Sequence, residues 1–472
     1  MGIIRRIANA WAGPAGVREL LQIAFPLFIS QSCETVMMFT DRLFLSRLGP
    51  EYMSAAMAGG LTCFMLSTFF FGLTGYANAL VAQHFGSGQT QRCPVVTTQA
   101  LLISVAAYPV ILGCIPVGRW LFSAMDTAPG QIEPQQAYFT ILMFGAVFGL
   151  LRNSLSAYFS GIGRTRIIMA GAVTSMVVNV AANYILIFGK LGFAPLGIRG
   201  AALGTLIGSL AGLLVLVVAY FGKENRRNYA VIAGTRFDLP MMRTLLRFGY
   251  PSGLEFFLNM LAFDLLVLTF HSYGLEVAGA VTMAFNWDMV SFIPLIGLNI
   301  GVTSLVGRYM GSRSPELAHR ATMSGIKIVT LYATLIILTF SLFPEVLIGI
   351  FRPVQPDAVY EASFPLAVYM VRLVSVYVFA DAIGLVFSGA LRGAGDTFMT
   401  MCLSVSTHWL LAVASLLMIR VAGLPPRAAW IAVVVLVWCI GLAFAARYRS
   451  GKWRQIRMVE PEPVVPPPEA VI

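Results

Sequence analysis

Apolar residues run through this chain in blocks of about 20 or more, separated by short polar turns, from near residue 20 to near residue 448. Blocks of that length match the ~20 residues that an α-helix needs to cross a bilayer. They are continuous rather than alternating, which argues against a transmembrane β-barrel. The pattern predicts twelve spanning helices, over roughly 20–45, 53–82, 95–122, 136–160, 165–189, 198–222, 241–272, 278–308, 319–350, 362–391, 397–421 and 426–448. The expected fold is an all-α polytopic membrane protein. Residues 1–19 read as a basic amphipathic segment at the interface, with Trp11 as an anchor. The long polar stretch 223–240 reads as a linker between two halves, 20–222 and 241–449. The Pro-rich 450–472 reads as an unstructured tail.

The halves repeat. A shift of 225 residues puts Pro26 on Pro251, Gly49 on Gly274, Glu51 on Glu276, Gly72 on Gly297 and Gly86 on Gly311. No gap is needed between 26–88 and 251–313, and ALVAQHFGS (79–87) falls on SLVGRYMGS (304–312). At a shift of 232, YFSGIGRT (158–165) falls on ALRGAGDT (390–397). The identities concentrate at Gly and Pro, where backbone geometry is most constrained. Six spans per repeat is an even number, so both halves enter the membrane from the same side. Two pseudo-symmetric six-helix lobes around a central cavity follow, the parallel-repeat plan of many secondary transporters.

Composition agrees with this reading. Apolar residues make up 58% and charged residues only 11% of the chain, too few charges for a water-facing surface. The net charge of +11 does not call for nucleic acid, because its placement is asymmetric. With the N-terminus inside, 21 Lys and Arg fall on cytoplasmic segments and 8 on the opposite side, which predicts both termini in the cytoplasm. Cys33, Cys63, Cys93, Cys114, Cys402 and Cys439 form no CxxC pair, and His84, His271, His319 and His408 form no HExxH, so no metal site is expected. The Gly-rich turns at 86–92, 161–166 and 393–397 lack GxxxxGK[ST]. With no nucleotide cradle, an ion gradient is the expected energy source.

Several motifs together resemble the multidrug and toxic compound extrusion (MATE) family, in its bacterial NorM-like branch. They are Pro26-x14-Asp41 followed by Leu48-Gly49, the run VVNVAANYILIFG (177–189) with PLGIRGAALGT (195–205), AFN (284–286), IPLIGLNIGVTSLVG (293–307), and Asp381-x10-RGAGDT (392–397). The resemblance implies two lobes in a V and export of organic, often cationic, compounds from the bacterial inner membrane in exchange for protons or sodium ions. It implies no cofactor beyond the coupling ion. The expected partners are small cationic molecules and membrane lipids, with no nucleic acid, and the chain is expected to act as a monomer.

Ionisable groups inside spans are costly and mark function by default. Glu34 and Asp41 are seven residues apart, nearly two turns, so both are expected on one face about 10 Å apart. Asp41 and Asp381 match the family's acidic positions on spans 1 and 10, and Tyr377 precedes Asp381 by one turn. Asn179 and Asn183 share a face of span 5, where amide oxygens suit a hard cation or an interhelical hydrogen bond. The family's span-7 acidic position holds Asn259 here, and Glu255 stands one turn earlier, as if the carboxylate had moved. Glu255 is expected to act together with Asp381. Asn286 and Asp288 supply further acceptors, and Phe256, Phe285 and Trp287 are candidates to hold a flat cation in the cavity. Two rivals weaken on the residues. A flippase for lipid-linked diphosphates needs a basic cavity, and a membrane-embedded enzyme needs a catalytic constellation that the chain does not display.

Overall fold

The computed structural model describes residues 11–124, 129–353 and 357–459. It contains twelve helices long and apolar enough to cross a membrane: Val17–Ser46, Glu51–Gly86, Arg92–Ala124, Gly130–Gly161, Thr165–Phe188, Gly197–Tyr220, Leu239–His271, Leu275–Gly311, Pro315–Leu342, Ala358–Ala394, Thr397–Arg420 and Pro426–Arg449, numbered here as spans 1–12. Their ends follow local chemistry. Asp238 and Asp357 cap spans 7 and 10 by accepting from Met241 N and Val359 N, each at 2.9 Å. Span 2 breaks at Tyr76 into Pro50–Gly75 and Ala77–Gly86. The ninth apolar run divides into a helix ending at Leu342 and a short helix, Pro344–Gly349, because Pro344 cannot continue the first.

The repeat is real in three dimensions. In the first half span 1 packs on span 5, span 2 on span 4, span 3 on span 4, and span 4 on span 6. The second half makes the same neighbours at 7–11, 8–10, 9–10 and 10–12. The backbone repeats too: the turn positions Gly49 and Gly274, Gly88 and Arg313, and Gly163 and Gly395 all have positive φ, at the same shifts. These bends let a helix reverse within a few residues.

The lobes meet along a two-fold seam, span 2 on span 7 and span 8 on span 1. Gly72 lies so close to span 7 that a Cβ would sit 2.5 Å from Ser252 O, and its counterpart Gly297 would sit 2.8 Å from Phe28 N. At the seam's end Gly86 abuts the Arg308 carbonyl and Gly311 abuts the Gln83 carbonyl, again related by 225 residues. Gln83 Nε2 also donates to Gly393 O at 2.9 Å, and Ser304 Oγ to Ser160 O at 2.6 Å. These contacts all lie toward the ends where odd-numbered spans begin and even-numbered spans finish. Among the described residues these contacts join the lobes at that end.

The linker 223–240 folds as Lys223–Tyr229 and Val231–Gly234 and docks on span 3, where Thr98 and Gln99 donate to Gly234 O and Arg236 O. One flanking expectation needs correction. The start of the supposed tail is ordered, because Trp453 is 1% exposed, stacks on Tyr448 and donates to Tyr448 O. An apolar ring of that size holds Lys452–Gln455 in a short helix against span 12. Residues 460–472 and 1–10 lie outside the described residues. Trp11 is exposed, and span 1 already begins at Val17.

Candidate functional site

Just beyond the seam, between the lobes, lies a cavity of about 410 Å³. Its wall carries one ion pair from each lobe. On the N-lobe side Arg152 Nη1 (span 4) meets Glu34 Oε1 (span 1) at 2.5 Å. On the C-lobe side Arg392 Nη2 (span 10) meets Glu255 Oε1 (span 7) at 2.6 Å. Glu255 is 2% exposed, and its other oxygen, Oε2, is buried without a partner among the described residues. Three neighbours on the same wall share that condition: Arg392 Nε, Asn259 Oδ1 and Ser252 Oγ. Asn259 uses its amide nitrogen on Ser404 Oγ, at 2.8 Å. Phe256 lines the cavity and meets Phe64 of the other lobe edge-on, with ring centroids 5.8 Å apart.

A second carboxylate lies inside the N-lobe, away from that cavity. Asp41 is 7% exposed. Its Oδ1 accepts from Asn183 Nδ2, and its Oδ2 accepts from Thr205 Oγ1 at 3.1 Å. Asn179 closes the network, accepting from Asn183 Nδ2 at 3.3 Å and donating to Thr205 Oγ1 at 3.4 Å. Asn183 Oδ1 is left without a donor. Span 6 makes room with glycine, since a Cβ at Gly204 would collide with Asn183 Oδ1. No lysine or arginine among the described residues bridges Asp41. The groups that donate to it are neutral amides and a hydroxyl.

The C-lobe holds an acidic group too, on spans 8 and 10 rather than at the repeat counterpart of Asp41, which is Leu266. The Tyr377 hydroxyl hydrogen-bonds the Asp288 carboxylate, and Asp381 lies within the electrostatic field of Asp288. Arg372, on the same helix, pairs instead with Glu345 at 3.7 Å. Two carboxylates thus approach each other with a phenol and no arginine partner among the described residues.

The MatE family profile matches residues 26–185 and again 251–416, one copy in each lobe. The chain belongs to the MatE family. It is a membrane transporter of the NorM-like bacterial branch, not an enzyme. It is 27% identical to the probable multidrug resistance protein NorM of Synechococcus over 85% of this chain and 86% of that one. It is 26% identical to multidrug resistance protein PmpM of Pseudomonas aeruginosa, over 84% and 82%. Among solved structures, a MOP-superfamily transporter from Pyrococcus furiosus superposes with a TM-score of 0.84 at 20% identity, covering 93% of this chain and 97% of that one. The outward-facing conformation of a multidrug resistance MATE family transporter superposes equally well, at 0.84 and 21% identity with the same coverage. Both establish the same fold.

On this MatE scaffold the residues singled out from the sequence divide into separate groups. Asp41, Asn179 and Asn183 converge, and Thr205 is the member that sequence reasoning missed; its signal was the small-residue run GAALGT (200–205). Glu34 does not join Asp41. The two stand about 10 Å apart along span 1, and Arg152 holds Glu34 at the cavity wall. Glu255 and Asn259 reach the cavity as expected, and Glu255 pairs there with Arg392 and not with Asp381. Its partner Arg392 is eleven residues beyond Asp381, about 16 Å of helix rise. Tyr377 lies near both Asp288 and Asp381, so Asp288 joins this acidic group, and it does not line the cavity. Phe285 and Trp287 also leave the cavity list. Phe285 packs on Phe263 and Trp430, and Trp287 donates to Leu347 O and packs on Phe340, all inside the C-lobe. Asn286 donates to Thr282 O of its own helix and does not line the cavity. Phe256 alone of the three aromatic candidates faces it.

Proposed function

We propose that this transporter exports drug-like organic cations across the bacterial inner membrane, in exchange for protons or sodium ions, by alternating access. The observation that carries the reading is a difference between two kinds of carboxylate within the spans. Glu34 and Glu255 at the cavity wall already hold a guanidinium each. Asp41 is held by amides and a hydroxyl, Asp288 by the Tyr377 hydroxyl, and no lysine or arginine among the described residues bridges either of them or Asp381. A desolvated carboxylate without a fixed counter-ion gains most from a small cation, whether proton or sodium. The unpartnered Asn183 Oδ1 adds an acceptor to the N-lobe position. The multidrug resistance names of the NorM and PmpM relatives support drug-like cargo. The Lys/Arg bias puts both termini in the cytoplasm, so the joined end of the lobes is cytoplasmic and the cavity faces outward. In a flippase for lipid diphosphates unmatched basic groups would line the cavity, whereas Arg152 and Arg392 are each matched by a glutamate.

Ethidium efflux from reconstituted vesicles under an imposed proton or sodium gradient tests the reading. Wild type is expected to drive efflux with one of the two gradients, and Asp381→Asn is expected to abolish that driven component. Full driven efflux in Asp381→Asn removes Asp381 from the mechanism. Wild type that moves no ethidium under either gradient overturns the reading itself.

A further inference from the structure

Arg392 faces two ways. Its side chain holds Glu255 at the cavity wall. Its backbone belongs to the seam, where Tyr76 of the N-lobe donates its hydroxyl to Arg392 O at 3.2 Å. The next residue, Gly393, accepts from Gln83 of the N-lobe, and it fits against span 8 so tightly that a Cβ would lie 2.5 Å from Thr303 O. A shift of the Arg392 side chain therefore strains the stretch of span 10 that joins the two lobes.

The wall around the pair is built for more than the pair. A buried carboxylate oxygen without a partner is expensive, and here Glu255 Oε2, Asn259 Oδ1 and Ser252 Oγ are all left unsatisfied beside a cavity large enough for a guest. Two of these atoms can only accept, and the third can accept as well. Such a cluster suits an ammonium or iminium group. The charge that would attract the guest is already neutralised by Arg392, whose own Nε is unsatisfied, so the pair is not held by a full fork.

We infer that Arg392 is a tethered stand-in for the cargo's positive group: it occupies Glu255 when the cavity is empty, the cationic head of the cargo displaces it, and the displacement loosens the seam through Tyr76 and Gln83. Arg392 is then a positioning residue that reports cavity occupancy to the closed end. This inference rests on the proposed export of organic cations and adds the subsite, Glu255 with Asn259 and Ser252, and its built-in competitor. It also accounts for the placement of Glu255: the carboxylate serves cargo, while Asp41 and the Asp288–Asp381 pair remain for the coupling ion.

The test is a pair of variants with opposite expected signs. In detergent-purified, monodisperse protein without a gradient, Arg392→Gln is expected to bind ethidium about tenfold more tightly, because the competitor is gone. Glu255→Gln is expected to bind it at least tenfold more weakly, because the carboxylate is gone and the guanidinium remains. In vesicles Arg392→Gln is expected to show a lower KM and a several-fold lower kcat, since filled cavities no longer pull on the seam. A merely structural ion pair predicts the same sign for both variants, so weakened or unchanged binding in Arg392→Gln overturns the inference. Arg392→Lys keeps a cation but loses the planar fork, and its affinity is expected between wild type and Arg392→Gln. Should Arg392→Gln not fold, an Arg392→Lys affinity equal to or weaker than wild type overturns the inference alone. Absence of ethidium binding and efflux in wild type would instead remove the export reading on which it rests.

Discussion

Gly204 decides where Asn183 can point. A methyl group there collides with Asn183 Oδ1, and the amide could keep its place only by leaving Asp41. Gly204→Ala is therefore expected to mimic loss of the carboxylate's main donor without touching Asp41 itself. Leaving a buried charged acceptor unsatisfied costs about 1–3 kcal/mol or more, or roughly one to two orders of magnitude in the affinity of whatever Asp41 binds. In ion-gradient-driven efflux Gly204→Ala should lose most of its driven component. Exchange of labelled ethidium between equal concentrations on both sides should continue, because the central cavity is untouched. Driven efflux equal to wild type would mean that the Asn183–Asp41 bond is structural only. Thr205→Val tests the other oxygen, since it removes the 3.1 Å bond and keeps the shape; a smaller loss of the same kind is expected.

Helices carry the next level of behaviour, because the seam is made of whole spans touching at glycines. Gly86 and Gly311 let the ends of spans 2 and 8 pass within backbone contact of each other's carbonyls. Gly86→Ala forces that contact apart. Overpacking of this kind costs about 1–3 kcal/mol, enough to shift a two-state equilibrium by about 5- to 150-fold. Pulsed-EPR distances between labels at Ser87 and Ser312 should lengthen in Gly86→Ala, and an unchanged distribution would show that the seam tolerates the methyl. The ordered segment after span 12 opposes the same opening: Met458 packs over Gly395, and its sulfur lies 3.0 Å from the Tyr76 hydroxyl of the other lobe. Deleting residues 451–472 should therefore lengthen the same label distance, with Trp453→Ala giving part of the effect; the full chain and the deletion showing one distribution would remove the segment from gating. The spans themselves were legible in the sequence, since length and apolarity alone mark a membrane helix. The seam was legible in outline, because its glycines recur at a fixed shift. What each helix face meets was not. Phe285 and Trp287 sit on a helix that is apolar nearly all round, so composition could not separate the lobe interior from the cavity. The Arg392–Glu255 pair joins residues 137 positions apart, and no local spacing announces it.

At the scale of the molecule, each lobe holds a carboxylate group that no lysine or arginine bridges among the described residues, on span 1 in one lobe and on spans 8 and 10 in the other, and this fixes an expectation about charge movement. If Asp41 in the N-lobe and the Asp288–Asp381 pair in the C-lobe each load one monovalent ion per cycle, two positive charges enter for each monovalent cargo that leaves. One net charge then moves inward per turnover, and an inside-negative potential drives export. Each charge crossing 100 mV contributes about 2.3 kcal/mol, equivalent to about a 50-fold change in the cargo ratio at equilibrium. The measurement is the steady-state ethidium ratio in vesicles whose potential is clamped by potassium and valinomycin, at a fixed gradient of the coupling ion. Wild type should change its ratio by about 50-fold for each 100 mV. Asp41→Asn retains one loading group, so its exchange should become electroneutral, and its ratio should no longer respond to potential while still following the ion gradient. Wild type with no response to potential would mean that only one lobe loads an ion. Asp41 and the Asp288–Asp381 pair would then have to be separated by testing which of them alone sustains the exchange.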